Sequence, residues 1–201
     1  MVRCCFLSAT MMNLTVHYKG YAMPTPPPAV AFIARSGTGK TTLVEALIVE
    51  LTARGWRVGA LKHDAHKFEI DQPGKDSSRF TAAGAEVMVL VSDETVAMVS
   101  KPKTPEKLDN ILQKWFNGLD LVLVEGYKTS DLPKVEIQRA VLDQPLLSRG
   151  EFHDPHLVAI VSDEVQVRDQ SSDVPVLPLD SPALISDWLE KQFLLRNRSQ
   201  T

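Results

Sequence analysis

The 201-residue chain has only two cysteines, Cys4 and Cys5, adjacent and ahead of every segment able to build a core. From residue 6 onward there is none, which excludes a disulfide framework, a cysteine-based zinc or iron-sulfur centre and a cysteine nucleophile in the folded part. Long apolar runs are also lacking. No stretch approaches the roughly 18 apolar residues of a bilayer-spanning helix, and Met1–Leu7 is too short and too weakly basic for a secretory signal. There is no excess of positive charge: 22 Lys and Arg against 25 Asp and Glu leave a net −3, so bulk electrostatics give no reason to expect nucleic acid as a partner. These absences point to a cytoplasmic protein in a reducing compartment with no membrane partner. With 44% hydrophobic residues, the chain can bury the core of one domain of ordinary size.

Residues 1–28 differ in composition from the rest and end in Met23-Pro24-Thr25-Pro26-Pro27-Pro28, where successive prolines remove backbone donors and favour extended geometry. They read as a flexible leader or a mis-assigned start, with Met11, Met12 and Met23 as alternative initiators, and 29–201 reads as one domain. Within it, apolar β-branched runs at Val30–Ala34, Val58–Leu61, Val87–Val91, Leu121–Val124, Leu157–Val161 and Val174–Leu177 suit strands buried on both faces. Helical signals lie between them. Leu43, Ala46, Leu47 and Leu51 form a stripe ending at Gly55, and Thr104-Pro105 and Ser181-Pro182 each read as a helix start. The alternation predicts an α/β fold with a mainly parallel sheet. Thr95–Val99, after a turn from Val87–Val91, and Lys134–Arg139, after a loop, break the pattern and predict an antiparallel hairpin or edge extension.

The most specific signal is Ala34-Arg35-Ser36-Gly37-Thr38-Gly39-Lys40-Thr41-Thr42, between a strand and a helix. A phosphate cradle needs small residues so that successive backbone N–H groups turn inward, a lysine for the β- and γ-phosphates, and a hydroxyl for Mg²⁺. Ser36, Gly37, Thr38, Gly39, Lys40, Thr41 and Thr42 meet those needs, with Ala34 standing where such loops usually begin with glycine. The acidic partner expected on a neighbouring strand is Glu125, delivered by Leu121-Val122-Leu123-Val124 and followed by Gly126. It is suited either to act through water on Mg²⁺ or to orient an attacking water. No arginine is placed as an obvious finger, although Arg35 lies inside the loop.

A second ionisable cluster, Lys62-His63-Asp64-Ala65-His66 followed by Asp71 and Gly74-Lys75-Asp76-Ser77, falls at the carboxyl end of a predicted parallel strand, where open α/β sheets place ligands. His63, His66 and Asp64 match no strong metal signature. Lys62 and Lys75 suit an anion better, Asp76 can cap a helix running to Gly84, and Lys128 adds a cation to the same face. Asp163, after Leu157–Val161, is suited to accept N1–H and N2–H of guanine or, alternatively, to cap a turn.

Taken together, Ser36–Leu43, Gly59 through His66, Asp71 through Ser77, Leu121 through Lys128, and Pro133-Lys134-Val135-Glu136 make the chain similar to the MobB family of molybdopterin guanine dinucleotide biosynthesis proteins. The resemblance implies a P-loop NTPase-type three-layer fold, GTP and Mg²⁺ as ligands, weak GTP hydrolysis and a homodimer. It further implies an accessory role in attaching a GMP moiety to molybdopterin or its molybdenum form, beside the nucleotidyltransferase MobA. Lys62, His63, Lys75 and Asp76 would then face bound phosphate or the phosphorylated pterin. Two alternatives share the loop: a small-molecule kinase, whose Arg-rich lid has no counterpart among ten dispersed arginines, and a non-hydrolysing nucleotide-binding adaptor.

Overall fold

The structure, a computed structural model, describes residues 25–64, 74–149, 153–167 and 174–195. A six-stranded sheet runs in the order β2-β5-β1-β6-β7-β8, with every pairing parallel. Its strands are β1 (Ala29–Ala34), β2 (Val58–Lys62), β5 (Leu121–Glu125), β6 (Lys134–Gln138), β7 (Leu157–Ser162) and β8 (Val176–Pro178). A separate antiparallel ribbon pairs β3 (Val87–Val91) with β4 (Val96–Ser100). The α-helices are α1 (Lys40–Ala53), α2 (Asp76–Ala82), α3 (Leu108–Trp115) and α4 (Pro182–Leu189), the last continuing as a π turn over Glu190–Leu194.

Three layers follow from the two-residue period of β1. Val30, Phe32 and Ala34 face one side, where they join Leu43, Leu47 and Leu51 of α1 and Ile185 and Leu189 of α4. Ala29, Ala31 and Ile33 face the other, against Leu112 of α3. The α1 stripe thus buries as its spacing requires, and Arg54 locks α1 to α4: its guanidinium bonds Glu50, Asp187, Glu190 and the Ala183 carbonyl. Gly59 allows the tightest packing, since a Cβ there would lie 2.4 Å from Phe116 Cδ1. The chain before Ala29 is already engaged, because Pro28 O accepts the Val122 N–H at 2.9 Å.

Several sequence expectations are corrected. Val87–Val91 is apolar but does not enter the main sheet; it forms the expected hairpin with β4, with Val87, Val89, Leu90 and Val91 exposed. Lys134–Gln138 is no edge or antiparallel extension but a parallel strand between β1 and β7. Its two charged residues are fully enclosed, Lys134 and Glu136 being only 1% and 2% exposed. Each has dedicated partners: Lys134 Nζ meets Asp154 Oδ2 at 3.0 Å and the Ser130 carbonyl, while Glu136 accepts from Leu147 N, Ser148 N and Ser148 Oγ. Charges so paired can be buried without being orphaned. Thr104-Pro105 does not start a helix, since α3 begins at Leu108 with Lys107 at its N-cap. Asp76 is the first residue of α2 rather than its cap, and the last strand is Val176–Pro178 rather than Val174–Leu177.

Candidate functional site

The parallel register brings three strand exits together. Lys62 pairs with Glu125, which in turn pairs with Phe32, so the carboxyl ends of β2, β5 and β1 lie side by side. The chain leaves β1 toward β2 on one side and crosses from β5 to β6 on the other, making this the switch point where such sheets hold ligands.

The loop after β1 folds as its composition demands. Gly37 and Gly39 take φ +81° and +85°, the left-handed region that turns successive peptide groups and is readily open to glycine. Gly39 is also the N-cap of α1, and its carbonyl accepts the Leu43 N–H at 3.0 Å. Thr38 is buried, with its hydroxyl on the Arg35 carbonyl at 3.1 Å. Ser36 and Thr42 are exposed at the loop's two sides, as an anion cradle at a helix N-terminus needs. Arg35 turns away, its guanidinium 3.3 and 3.4 Å from the Pro145 carbonyl.

Around this cradle the structure gathers Lys40, Thr41, Glu125, Lys62 and Lys128. Thr41 Oγ1 donates to Glu125 Oε2 at 2.9 Å, and Lys62 Nζ lies 3.4 Å from Oε1. Burial lowers the pKa of Lys40; Glu125 opposes that shift, and the nearby Lys128 and Lys62 ammonium groups add to it. A half-buried lysine flanked by two further cations is an electrostatic cup for polyanionic phosphate. The hydroxyl and carboxylate together are hard oxygen donors, the kind Mg²⁺ takes in small number alongside substrate phosphates. Among the described residues no group of three or more His, Cys, Asp or Glu converges as a metal cage. Thr41 Oγ1 and the Glu125 carboxylate are the pair that fits a Mg²⁺ shared with phosphate oxygens.

The turn after β5 ties this centre to the second cluster. Gly126 (φ +98°) donates its N–H to the Phe32 carbonyl, and a Cβ on it would come within 3.0 Å of the His63 carbonyl. His63 donates its N–H to the Glu125 carbonyl at 2.9 Å, and its ring lies 4.2 Å from that of Tyr127. Asp64 follows at the surface, whereas His66 and Asp71 lie outside the described residues. Lys75 is the N-cap of α2, and Asp76 pairs with Arg79 of its own helix at 3.4 Å. Neither of them shows a bond to the cradle.

Arg139, which follows β6, is a site residue that sequence reasoning missed. Its Nε donates to the Thr38 carbonyl at 2.8 Å, and its Nη2 would lie 3.3 Å from a Cβ on Gly39. Reading Lys134–Gln138 as a central strand would have placed it beside the loop. Asp163 sits at the end of β7 with Oδ1 on the Ala140 N–H at 2.9 Å and Oδ2 3.9 Å from Arg139 Nη1. A 220 Å³ cavity opens beside the cradle between Gly39, Thr42, Arg139, Leu179, Asp180 and Pro182. A larger one, 620 Å³, lies at the opposite, amino ends of the strands near Pro28, Trp56 and Asp120, away from every group described above.

Comparison with known proteins agrees with this architecture. The family model described as molybdopterin guanine dinucleotide synthesis protein B matches residues 29–163. The molybdopterin-guanine dinucleotide biosynthesis adapter protein of Haemophilus influenzae is 39% identical over 136 residues, 67% of this chain and 76% of that protein. Its Escherichia coli counterpart is 35% identical over 179 residues, 82% and 95% of the two chains. The crystal structure of Bacillus subtilis MobB superposes with a TM-score of 0.64 at 25% identity, covering 83% of this chain and 98% of that one. With the family model matching residues 29–163 and the Escherichia coli relative 35% identical over 82% of this chain, the protein belongs to the MobB family.

Proposed function

We propose that this protein binds GTP with Mg²⁺ and serves as an accessory protein in the formation of molybdopterin guanine dinucleotide, hydrolysing GTP slowly. The observation that carries the reading is the convergence of Lys40, Thr41 and Glu125 on the Gly37–Gly39 cradle. Backbone N–H groups and Lys40 bind the phosphates, while Thr41 and Glu125 hold the metal or its water. Bound Mg²⁺ would supply charge neutralisation at the β- and γ-oxygens. Arg139 braces the loop through the Thr38 carbonyl at 2.8 Å, and Arg35 points away from the cradle toward the Pro145 carbonyl, so neither is placed to follow the charge of phosphoryl transfer. Slow turnover follows, since an inserted arginine is worth about 10³–10⁵ in rate.

The names of the Haemophilus influenzae and Escherichia coli relatives support the pathway, and the term adapter in those names fits a protein whose main output is assembly rather than turnover. MobA and molybdopterin or its molybdenum form are the partners this reading assigns. Lys62 and Lys128, on the Glu125 side, are the cations available to a second phosphorylated ligand, and His63, its ring tilted against that of Tyr127, flanks them. A homodimer is part of the same reading, supported by the exposed apolar face of the β3–β4 ribbon.

The test is calorimetric titration of the purified chain with GTP·Mg²⁺, ATP·Mg²⁺ and molybdopterin, followed by an assay of phosphate released from labelled GTP. Binding of GTP and molybdopterin with slow phosphate release is expected. Binding without release identifies a pure adaptor, and a labelled small-molecule product identifies a kinase. Tight ATP binding with no GTP preference defeats the proposal.

A further inference from the structure

We infer that the 220 Å³ cavity beside the cradle is the nucleoside subsite, and that Asp180, rather than Asp163, is the residue that selects guanine. The inference rests on the nucleotide-binding reading above and deepens it. Gly39 and Thr42 belong both to the phosphate loop and to the cavity wall, so a nucleotide with its phosphates on the loop has this space next to its α-phosphate end. The wall combines apolar surface from Leu43, Leu179 and Pro182 with one planar cation, Arg139, and one carboxylate, Asp180. A mostly apolar slot with a few polar groups is how small ligands are held, and a guanidinium plane is a surface on which a base stacks.

The two carboxylates differ in what they already do. Asp163 does not line the cavity, and it is committed to the Ala140 N–H and to Arg139. That matches the turn-capping alternative for this residue. Asp180 lines the cavity, and its one side-chain bond shown among the described residues is a long 3.3 Å contact from the adjoining Ser181 hydroxyl. It is therefore available to accept N1–H and N2–H together from the edge of guanine. Adenine offers an acceptor at N1 and nothing at C2, and hypoxanthine lacks the second donor.

The experiment is competition for a fluorescent GTP analogue on the full-length chain with Mg²⁺, using GTP, ITP, ATP and inorganic tripolyphosphate as competitors. Wild type is expected to prefer GTP over ATP by at least about tenfold, with ITP between them. Asp180→Asn is expected to abolish that preference while leaving the tripolyphosphate affinity within about twofold, and Asp163→Asn is expected to keep it. Retention of the preference in Asp180→Asn, or its loss in Asp163→Asn alone, overturns the assignment. If wild type binds tripolyphosphate but does not discriminate between bases, the inference fails while the phosphate cradle stands. If it binds neither tripolyphosphate nor any nucleotide, the parent reading fails with it.

Discussion

The Thr41 hydroxyl donates a 2.9 Å hydrogen bond to Glu125 Oε2 across a sequence separation of 84 residues, so the start of α1 and the end of β5 are held at one point. Lys62 approaches the other carboxylate oxygen from β2. Glu125→Gln keeps the shape but removes the charge that Thr41 and Lys62 answer. Turnover of GTP is expected to fall on the order of 10²-fold or more, the range for losing a positioned acid or base, with the Mg²⁺ dependence of nucleotide affinity flattened. Phosphate release and binding at varied Mg²⁺ measure both. An unchanged Mg²⁺ dependence would remove Glu125 from the metal site.

In the proposed function Lys40 binds phosphate as an ammonium, and burial lowers its pKa from the ordinary lysine value. Tripolyphosphate affinity should therefore decline with rising pH, and the decline should set in below the pH at which an ordinary lysine deprotonates. The neighbours set the direction of further change. Lys128→Ala removes a cation that lowers the pKa and moves the decline to higher pH; Glu125→Gln removes the anion that raises it and moves the decline to lower pH. Opposite shifts in the two variants are the signature, and parallel shifts would show that Lys40 is not the titrating group.

Buried Lys134 and its partly exposed partner Asp154 predict an acid limb in stability. Burial alone would raise the Asp154 pKa, but the His156 N–H and the Lys134 ammonium outweigh it and hold the carboxyl below its ordinary value. A depressed folded-state pKa contributes stability that is present above the unfolded value of about 3.9 and lost as pH falls through the folded one. Asp154→Asn should lower stability by about 3–5 kcal/mol at neutral pH, because it leaves Lys134 buried against a neutral partner. Urea unfolding as a function of pH checks this, and the acid limb should flatten in the variant.

Gly59 is held to its size by Phe116. A methyl group there would lie 2.4 Å from Phe116 Cδ1 and 2.9 Å from Leu119 Cδ1, so the ring must move or β2 must shift. Gly59→Ala is expected to destabilise by about 1–3 kcal/mol as an overpacking change, read as a lower urea midpoint. Pairing it with Phe116→Leu, which opens the clash, should recover part of the loss.

Where local pattern and tertiary environment agree, the fold could be read in advance. The continuous apolar runs of β1 and β5 are buried on both faces, and the Leu43, Leu47 and Leu51 stripe packs as its period demands. The left-handed turn at Gly37 and Gly39 and the exit of Glu125 from β5 beside it were legible because glycine spacing and an apolar run ending in an acid are local features of the sequence. Lys134–Gln138 was misread because its charges are satisfied by Asp154 and by the Leu147–Ser148 amides, partners that lie 11–20 residues away and leave no local mark. Arg139 was lost with it. Asp163 was placed at a strand end correctly, but its commitment to the Ala140 N–H depends on how two loops meet, which no window of sequence contains.

The β3–β4 ribbon gives the last prediction. Val87, Val89, Val91 and Val96 occupy one face, with Val89 opposite Met98 and Val91 opposite Val96, and all four valines are more than half exposed. An isolated two-stranded ribbon is marginal in water, and an apolar face of this kind on a folded protein marks an interaction surface. A second copy of the chain is the occupant proposed here, because the same face on each copy can bury valine against valine around a two-fold axis. Val89→Lys and Val91→Lys together should shift sedimentation from dimer to monomer, place no charge inside the main sheet, and leave tripolyphosphate binding intact. A wild-type chain that sediments as a monomer at high concentration, or a double variant that remains dimeric, would remove this face as the dimer contact.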